Sequence, residues 1–268
     1  MSISYKSEEE IELMRKSAQL VSATLAEVGS FLKPGLSLLE VDKFAEDFIR
    51  KNGAIPSFLH YEGFPNSACL SVNEAVVHGI PNEYKIQNGD VISVDLGVIL
   101  NDFQGDSAYT FGIGELDNEV VSLLQDTKIS LNKGVEQAVV GNRIGDIGYA
   151  IQQYAEKEKG YGIVRELVGH GLGHELHEAP QIPNYGKRGR GRKLKKGLVI
   201  CIEPMINIGG KEVVFLDDGW TVVTSDSSVS AHYEHIVSVD KGEAEVLSDF
   251  GVIEEAIRGN KELNKEFI

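Results

Sequence analysis

Near the start of the chain, apolar residues recur at every third or fourth position. Ile11, Met14, Ala18, Val21, Leu25 and Val28 fall on one face at that spacing, which predicts a long amphipathic helix. Ser7 and Glu10 stand as a capping box at its head, and Pro34-Gly35 marks its end. Ser37 and Glu40 repeat the box before a second helix that carries Val41, Phe44 and Phe48 on one face and runs to Asn52-Gly53. The period then shortens. Cys69-Leu70-Ser71-Val72 reads as a strand, and Val91 to Phe111 alternates as a two-armed β-ribbon. Helical spacing returns from about Asn118 to Gln137 and from about Ile144 to Glu158. A Gly/His-rich stretch follows, then a strand ending at Glu203 and others at Val213–Phe215, Thr221–Thr224 and His235–Val239. Helices ahead of antiparallel ribbons predict an α+β fold.

The order of elements occurs twice. Asn88-Gly89-Asp90-Val91-Ile92-Ser93-Val94-Asp95 and Lys196-Gly197-Leu198-Val199-Ile200-Cys201-Ile202-Glu203 both read turn, β-run, acid, the second 108 positions after the first. Upstream, Pro34-Gly35-Leu36 resembles Val140-Gly141-Asn142 at an offset of 106 from Gly35 to Gly141. Each half also offers a second acid on the returning arm, Asp106 and Glu234. The reading is a single domain over residues 1–268: one half to about 112, a second over about 113–248, and a tail from 249.

Composition narrows the classes. Hydrophobic content of 42% and charged content of 25% are those of a water-soluble globular chain with a substantial core. No apolar run approaches a membrane span, and the first residues have no signal-peptide pattern. Two cysteines give no disulfide framework, so a reducing, cytoplasmic setting is expected. A net charge of −15 argues against DNA or RNA binding over the whole surface. One segment opposes that charge: 187–196 holds basic residues among glycines, and reads either as a solvated loop or as a contact for RNA.

Charge at the end of an apolar strand is costly to bury without a partner. Four such acids, Asp95, Asp106, Glu203 and Glu234, therefore point to a shared cation. The segment Gly169-His170-Gly171-Leu172-Gly173-His174-Glu175-Leu176-His177 could add an imidazole, or could be an exposed glycine-rich turn. There is no H-E-x-x-H helix. Four carboxylates and one imidazole would balance two divalent ions, and suit Mn²⁺, Fe²⁺ or Co²⁺, with Zn²⁺ admissible and thiolate-seeking metals poorly matched. Asn101-Asp102 and Asp217-Asp218-Gly219 read as turns.

The ordered set Ser71-Val72-Asn73-Glu74, Val77-His78-Gly79-Ile80-Pro81, Asp95, Gly105-Asp106, Gly169-His170-Gly171-Leu172-Gly173, His177-Glu178, Ile202-Glu203-Pro204-Met205 and Tyr233-Glu234-His235 closely resembles the type I methionine aminopeptidases, from about residue 5 to residue 248. The resemblance implies the pita-bread fold, with two pseudo-twofold halves around a curved antiparallel sheet. It implies hydrolysis of the bond after an initiator Met that precedes a small residue. Asp106 and Glu234 would bridge two metals, Asp95 would chelate one, and His170 with Glu203 would complete the other. Glu203 would also handle the proton, while His78 and His177 would meet the scissile amide and carbonyl. Phe58, Tyr61, Phe64, Cys69, Leu176 and Trp220 would line the Met pocket, and backbone carbonyls of Asn73, Ala75 and Ser230 would hold a monovalent cation. The remaining histidines, His60, His174, His232 and His235, read as structural or rim residues. Because the first helix starts near residue 7, the shorter bacterial form is implied. Two alternatives keep the fold: a proline-specific aminopeptidase or dipeptidase, and a catalytically silent binding module.

Overall fold

The structure, a computed structural model, describes residues 3–268. Both capping boxes form. Ser7 Oγ accepts the Glu10 N–H at 3.2 Å, and Glu10 Oε2 accepts the Ser7 N–H at 2.7 Å. They open α1 (Glu8–Phe31), whose buried stripe includes all six residues named from spacing. Ser37 and Glu40 repeat the geometry at 3.2 and 2.7 Å and open α2 (Leu38–Lys51). The buried face of α2 differs from expectation: it runs through Leu38, Val41, Ala45 and Ile49, with Phe44 and Phe48 half-buried. Ala45 is fully buried, and Phe44 stacks on Phe31 of α1 at 4.3 Å.

In the first half come β1 (Ile55–Pro56), β2 (Ala68–Val72), β3 (Ala75–Val77), β4 (Val91–Leu100) and β5 (Phe103–Gly112). β4 and β5 pair without interruption from Val91↔Gly112 to Leu100↔Phe103. The hairpin turns at Asn101 and Asp102, at φ 52° and 64°, the left-handed pair that a two-residue turn requires. β2 lies on the other edge of β4, with Cys69 opposite Asp95.

The second half starts with α3 (Asn118–Val135) and α4 (Ile144–Gln152). α4 was expected to reach Glu158, but Gln153–Glu158 widens into a π-helical turn. That turn lets the Tyr154 hydroxyl donate to Asp126 of α3 at 2.5 Å, beside Tyr161 at 3.1 Å. Then follow β6 (Gly162–Ile163), β7 (Gly169–Gly171), β8 (Glu178–Ile182), β9 (Val199–Ile202), β10 (Met205–Asn207), β11 (Val213–Phe215), β12 (Val222–Thr224), β13 (Ser230–His232), β14 (His235–Ser238), β15 (Glu245–Val246) and α5 (Phe250–Arg258). The sheets run β15-β14-β9-β7-β8, β13-β10-β6 and β11-β12-β3.

The halves correspond: α1 packs on β4 and β5, and α3 packs on β9, β10 and β13. Their ribbons differ in one respect. Pro204 has no N–H and interrupts the second ladder, yet Ile202↔His235 and Met205↔His232 keep one register, so Glu203 stands opposite Glu234. In the first ribbon Asp95 faces Ala108 and Asp106 faces Gly97, which makes the two acids diagonal neighbours on one face. The ribbons join along β5. The Glu234 N–H donates to Ala108 O at 3.0 Å, Ser107 Oγ donates to Glu234 O at 2.6 Å, and Thr110 Oγ1 donates to His232 O at 2.6 Å. One apolar cluster extends through both halves, and a second, with Met14, Phe64, Leu172 and Cys201, lies beside the joined ribbons.

Candidate metal centre and pocket

Register brings the four acids together. Glu203 directly follows β9, which ends at Ile202, one residue short of the strand as read, and Asp95 sits in the middle of β4, which continues to Leu100 before the hairpin turns. Asp106 and Glu234 are 4% and 2% exposed. Buried carboxylate oxygens normally find donors. Here Asp95 Oδ1, Asp106 Oδ1, Glu203 Oε1 and Glu234 Oε1 find none among the described residues.

His170, on β7, makes the deficit explicit. Its Nδ1 lies 3.0 Å from Gly171 O, and a carbonyl only accepts, so Nδ1 carries the proton. The lone pair of Nε2 therefore faces Glu203 Oε1 at 3.4 Å and Asp106 Oδ2 at 3.8 Å. These are not ion pairs, because burial, then the neighbouring His177, pulls His170 down to about 3 and keeps it neutral. Burial likewise pushes Asp95 up to about 7. Asp106, Glu203 and Glu234 are driven well above the carboxylate range by burial and by one another's charge. Electron-rich atoms facing one another in a closed space fit a divalent cation, with the second ring nitrogen tied to a carbonyl as in metal-ligating histidines.

Ligand atoms of Asp106, His170, Glu234 and Cys201 lie within 4.8 Å of one another. Cys201 is a neighbour that sequence reasoning missed. The signal was there: it precedes Glu203 by two positions on one strand and so shares its face. Burial and the adjacent acids push its thiol up, so the oxygen–nitrogen set carries the negative charge. His232, read as structural or rim, lies inside rather than on the rim: it is 2% exposed, neither ring nitrogen has a partner among the described residues, and Nε2 lies 3.9 Å from Glu203 Oε2. It reaches that place because Thr110 grips its backbone on both sides.

Beside the acids opens a cavity of about 180 Å³. All six residues expected to form a side-chain pocket line it, together with His78 and His177. Glu62, not anticipated, also lines it, in a left-handed conformation at φ 47°. Phe64 meets Trp220 edge-on at 5.2 Å. Trp220 is presented by the turn expected at Asp218, whose carboxylate accepts its N–H at 2.9 Å. His177 Nδ1 is 2.8 Å from the Tyr61 hydroxyl, and its ring lies 4.4 Å from that of His170. His177 is exposed at one side, but partial desolvation where it borders the cavity lowers its pKa, and burial pulls His78 to about 4.

Asn73, at φ 54°, accepts the Ser230 N–H on its carbonyl at 2.9 Å, so two of the three carbonyl residues are neighbours. His174 is exposed and donates from Nδ1 to Asp102 O, and His235 is buried against Ser248. The basic loop is mostly exposed, tethered by Gly189 N–H to Asp146 and by Arg143 to Gly191 O. Among the described residues no helix is long and apolar enough to cross a membrane.

Residues 12–241 match metallopeptidase family M24. A methionine aminopeptidase of Clostridium acetobutylicum is 50% identical over 244 residues, covering 91% of this chain and 97% of that protein. The crystal structure of methionine aminopeptidase from Rickettsia prowazekii superposes with a TM-score of 0.91 at 39% identity, over 92% of this chain and 100% of that one. An Xaa-Pro dipeptidase from Bacillus anthracis aligns at a TM-score of 0.74 and 23% identity, over 91% of this chain and 62% of that one, a likeness of fold alone.

Proposed function

The chain belongs to metallopeptidase family M24, and from that premise we propose that it removes the initiator methionine from new chains whose second residue is small. It is a metallo-aminopeptidase with the pita-bread fold. One observation carries the site reading: four unpartnered buried carboxylate oxygens and a bare imidazole lone pair converge at one end of an apolar cavity.

Asp95, Asp106, His170, Glu203 and Glu234 would hold two divalent ions, Co²⁺, Mn²⁺ or Fe²⁺, with Zn²⁺ admissible. Bound there, the metal supplies Lewis acidity that acidifies water and polarises a carbonyl. The chain's own groups do the rest. Glu203 accepts a proton on the nucleophile's side and returns it to the departing amine. With the Tyr61 phenol donating to Nδ1, His177 presents Nε2–H to the oxygen that gains charge in the transition state. His78, neutral at working pH, meets the scissile amide. Phe58, Tyr61, Phe64, Cys69, Leu176 and Trp220 surround the unbranched thioether with aromatic and sulfur contacts. A cavity of about 180 Å³ is below the range of about 300 Å³ and upward for larger ligands, so it accepts one side chain.

The same reading includes a cytoplasmic enzyme acting as one catalytic unit over residues 1–268. The basic loop 187–196 touches ribosomal RNA transiently, and a monovalent cation sits near Asn73, Ala75 and Ser230. The test is direct: incubate metal-loaded protein with Met-Gly-Met-Met and with Xaa-Pro peptides, with and without chelator. Release of Met alone, abolished by chelation, is the expected result. Cleavage confined to Xaa-Pro bonds, or no turnover with any metal, overturns it.

A further inference from the structure

Lys6 and Glu178 form an ion pair that the chemistry above does not use. Lys6 Nζ meets Glu178 Oε2 at 2.6 Å across 172 positions of sequence. The side chains are 2% and 15% exposed, so both charges are largely withdrawn from water. Such pairs cost desolvation and are weak sources of stability. Their use lies in holding one geometry.

Glu178 opens β8 and directly follows His177. The segment from Leu172 to His177 has no regular structure, and His174, Glu175 and His177 are exposed. Its early part is pinned by the tip of the β4–β5 hairpin. Gln104 N–H donates to Gly173 O at 2.8 Å, Gln104 Nε2 donates to His174 O at 3.2 Å, and His174 Nδ1 donates to Asp102 O at 2.8 Å. None of these reaches His177. On that side the backbone of Glu178 pairs with Gly171 in the β7–β8 ladder, and its side chain is tied to Lys6, itself fixed by its N–H to Gly197 O at 2.6 Å and followed by the N-cap of α1. The pair fills the space under the segment so closely that a side chain at Gly173 would run into both partners.

We propose that the Lys6–Glu178 pair is a positioning device, which holds the backbone at His177 so that its imidazole stays between the Tyr61 hydroxyl and the cavity. The inference rests on the reading of His177 as the group that meets the scissile carbonyl. Lys6 acts through Glu178 and touches no substrate.

The test compares wild type, Lys6→Met, Lys6→Arg and the double variant Lys6→Met/Glu178→Leu. For each, kcat and KM on Met-Gly-Met-Met, metal content, Tm and hydrogen exchange of the peptide spanning 172–182 are measured. Lys6→Met should lower kcat by about tenfold to a hundredfold, as a small misplacement of a reacting group does. KM should stay within about twofold and metal content unchanged, with faster exchange in 172–182. Lys6→Arg should regain most of kcat. The double variant should regain Tm, because no unpaired charge is left buried, but not kcat. Wild-type kcat in Lys6→Met, or a double variant whose kcat recovers with its Tm, would show a merely structural pair and overturn the proposal. If wild type releases no Met, the functional reading fails instead. Exchange then decides, and unchanged protection of 172–182 in Lys6→Met sinks the device.

Discussion

The proton on His170 is assigned by its neighbour, since Gly171 O can only accept. That leaves Nε2 as a bare donor atom facing Glu203 Oε1, which has no hydrogen-bond partner among the described residues. Glu203 also borders the cavity, which suits a residue that both binds and moves a proton. Glu203→Gln should keep the fold and lower turnover by about 10²–10⁴-fold, the usual worth of a positioned acid–base group. Steady-state rates beside a thermal melt check it, and near-wild-type turnover would remove the proton role. His177→Ala provides the contrast: kcat falls while metal analysis shows the same occupancy, because the ring is held by Tyr61 and stands outside the five-residue donor set. Loss of metal in that variant would place His177 among the ligands.

At the scale of elements, the ten-residue pairing of β4 with β5 and the interrupted pairing of β9–β10 with β14–β13 reach one result by different registers. A diagonal pair of acids in one ribbon meets a directly opposed pair in the other. The C-terminal segment acts on α1. Asn260 Nδ2 donates to Gly29 O at 2.9 Å and to Leu32 O at 2.7 Å, carbonyls at the helix end that lack intrahelical partners. Asn260→Ala should therefore cost about 1–2 kcal/mol in urea unfolding, with kcat unchanged. Stability equal to wild type would show that water caps the helix equally well.

For the whole molecule, the metal-free state gathers four acids whose protonated forms the fold favours. Asp95 is pushed up to about 7 and the other three are raised well above the carboxylate range by burial and by neighbouring acids, whereas an unfolded chain releases these protons by about pH 5. The folded state then binds more protons than the unfolded one, so stability falls as pH rises. Chelated protein should lose Tm as pH rises from about 6.5 through about 7, whereas metal-loaded protein, with its acids already ionised, should hold steady across that range. The buried histidines, pulled to about 3 or 4 by burial, oppose this trend only below about pH 6.5. Metal should also raise Tm by about 5–10 °C at saturating concentration. Equal melting curves with and without chelator would mean that these acids hold no ion.

Much of this was legible along the chain. The capping boxes, the helix stripe of α1, the hairpin turn at Asn101-Asp102 and the doubled order of elements follow from local chemistry, which depends only on neighbouring residues. The five candidate donors and the six aromatic, sulfur and aliphatic residues that line the cavity could be named through a family resemblance, because its motifs are short and keep their order. What the chain alone left open was every relation set by register or packing. That Asp95 lies mid-strand, that Cys201 and His232 stand beside the acids, that Glu62 borders the cavity, and that Lys6 reaches Glu178 were all decided by the tertiary structure. The reason is physical: local propensity determines which way a side chain points along its own element, but only the pairing of distant strands decides what it points at.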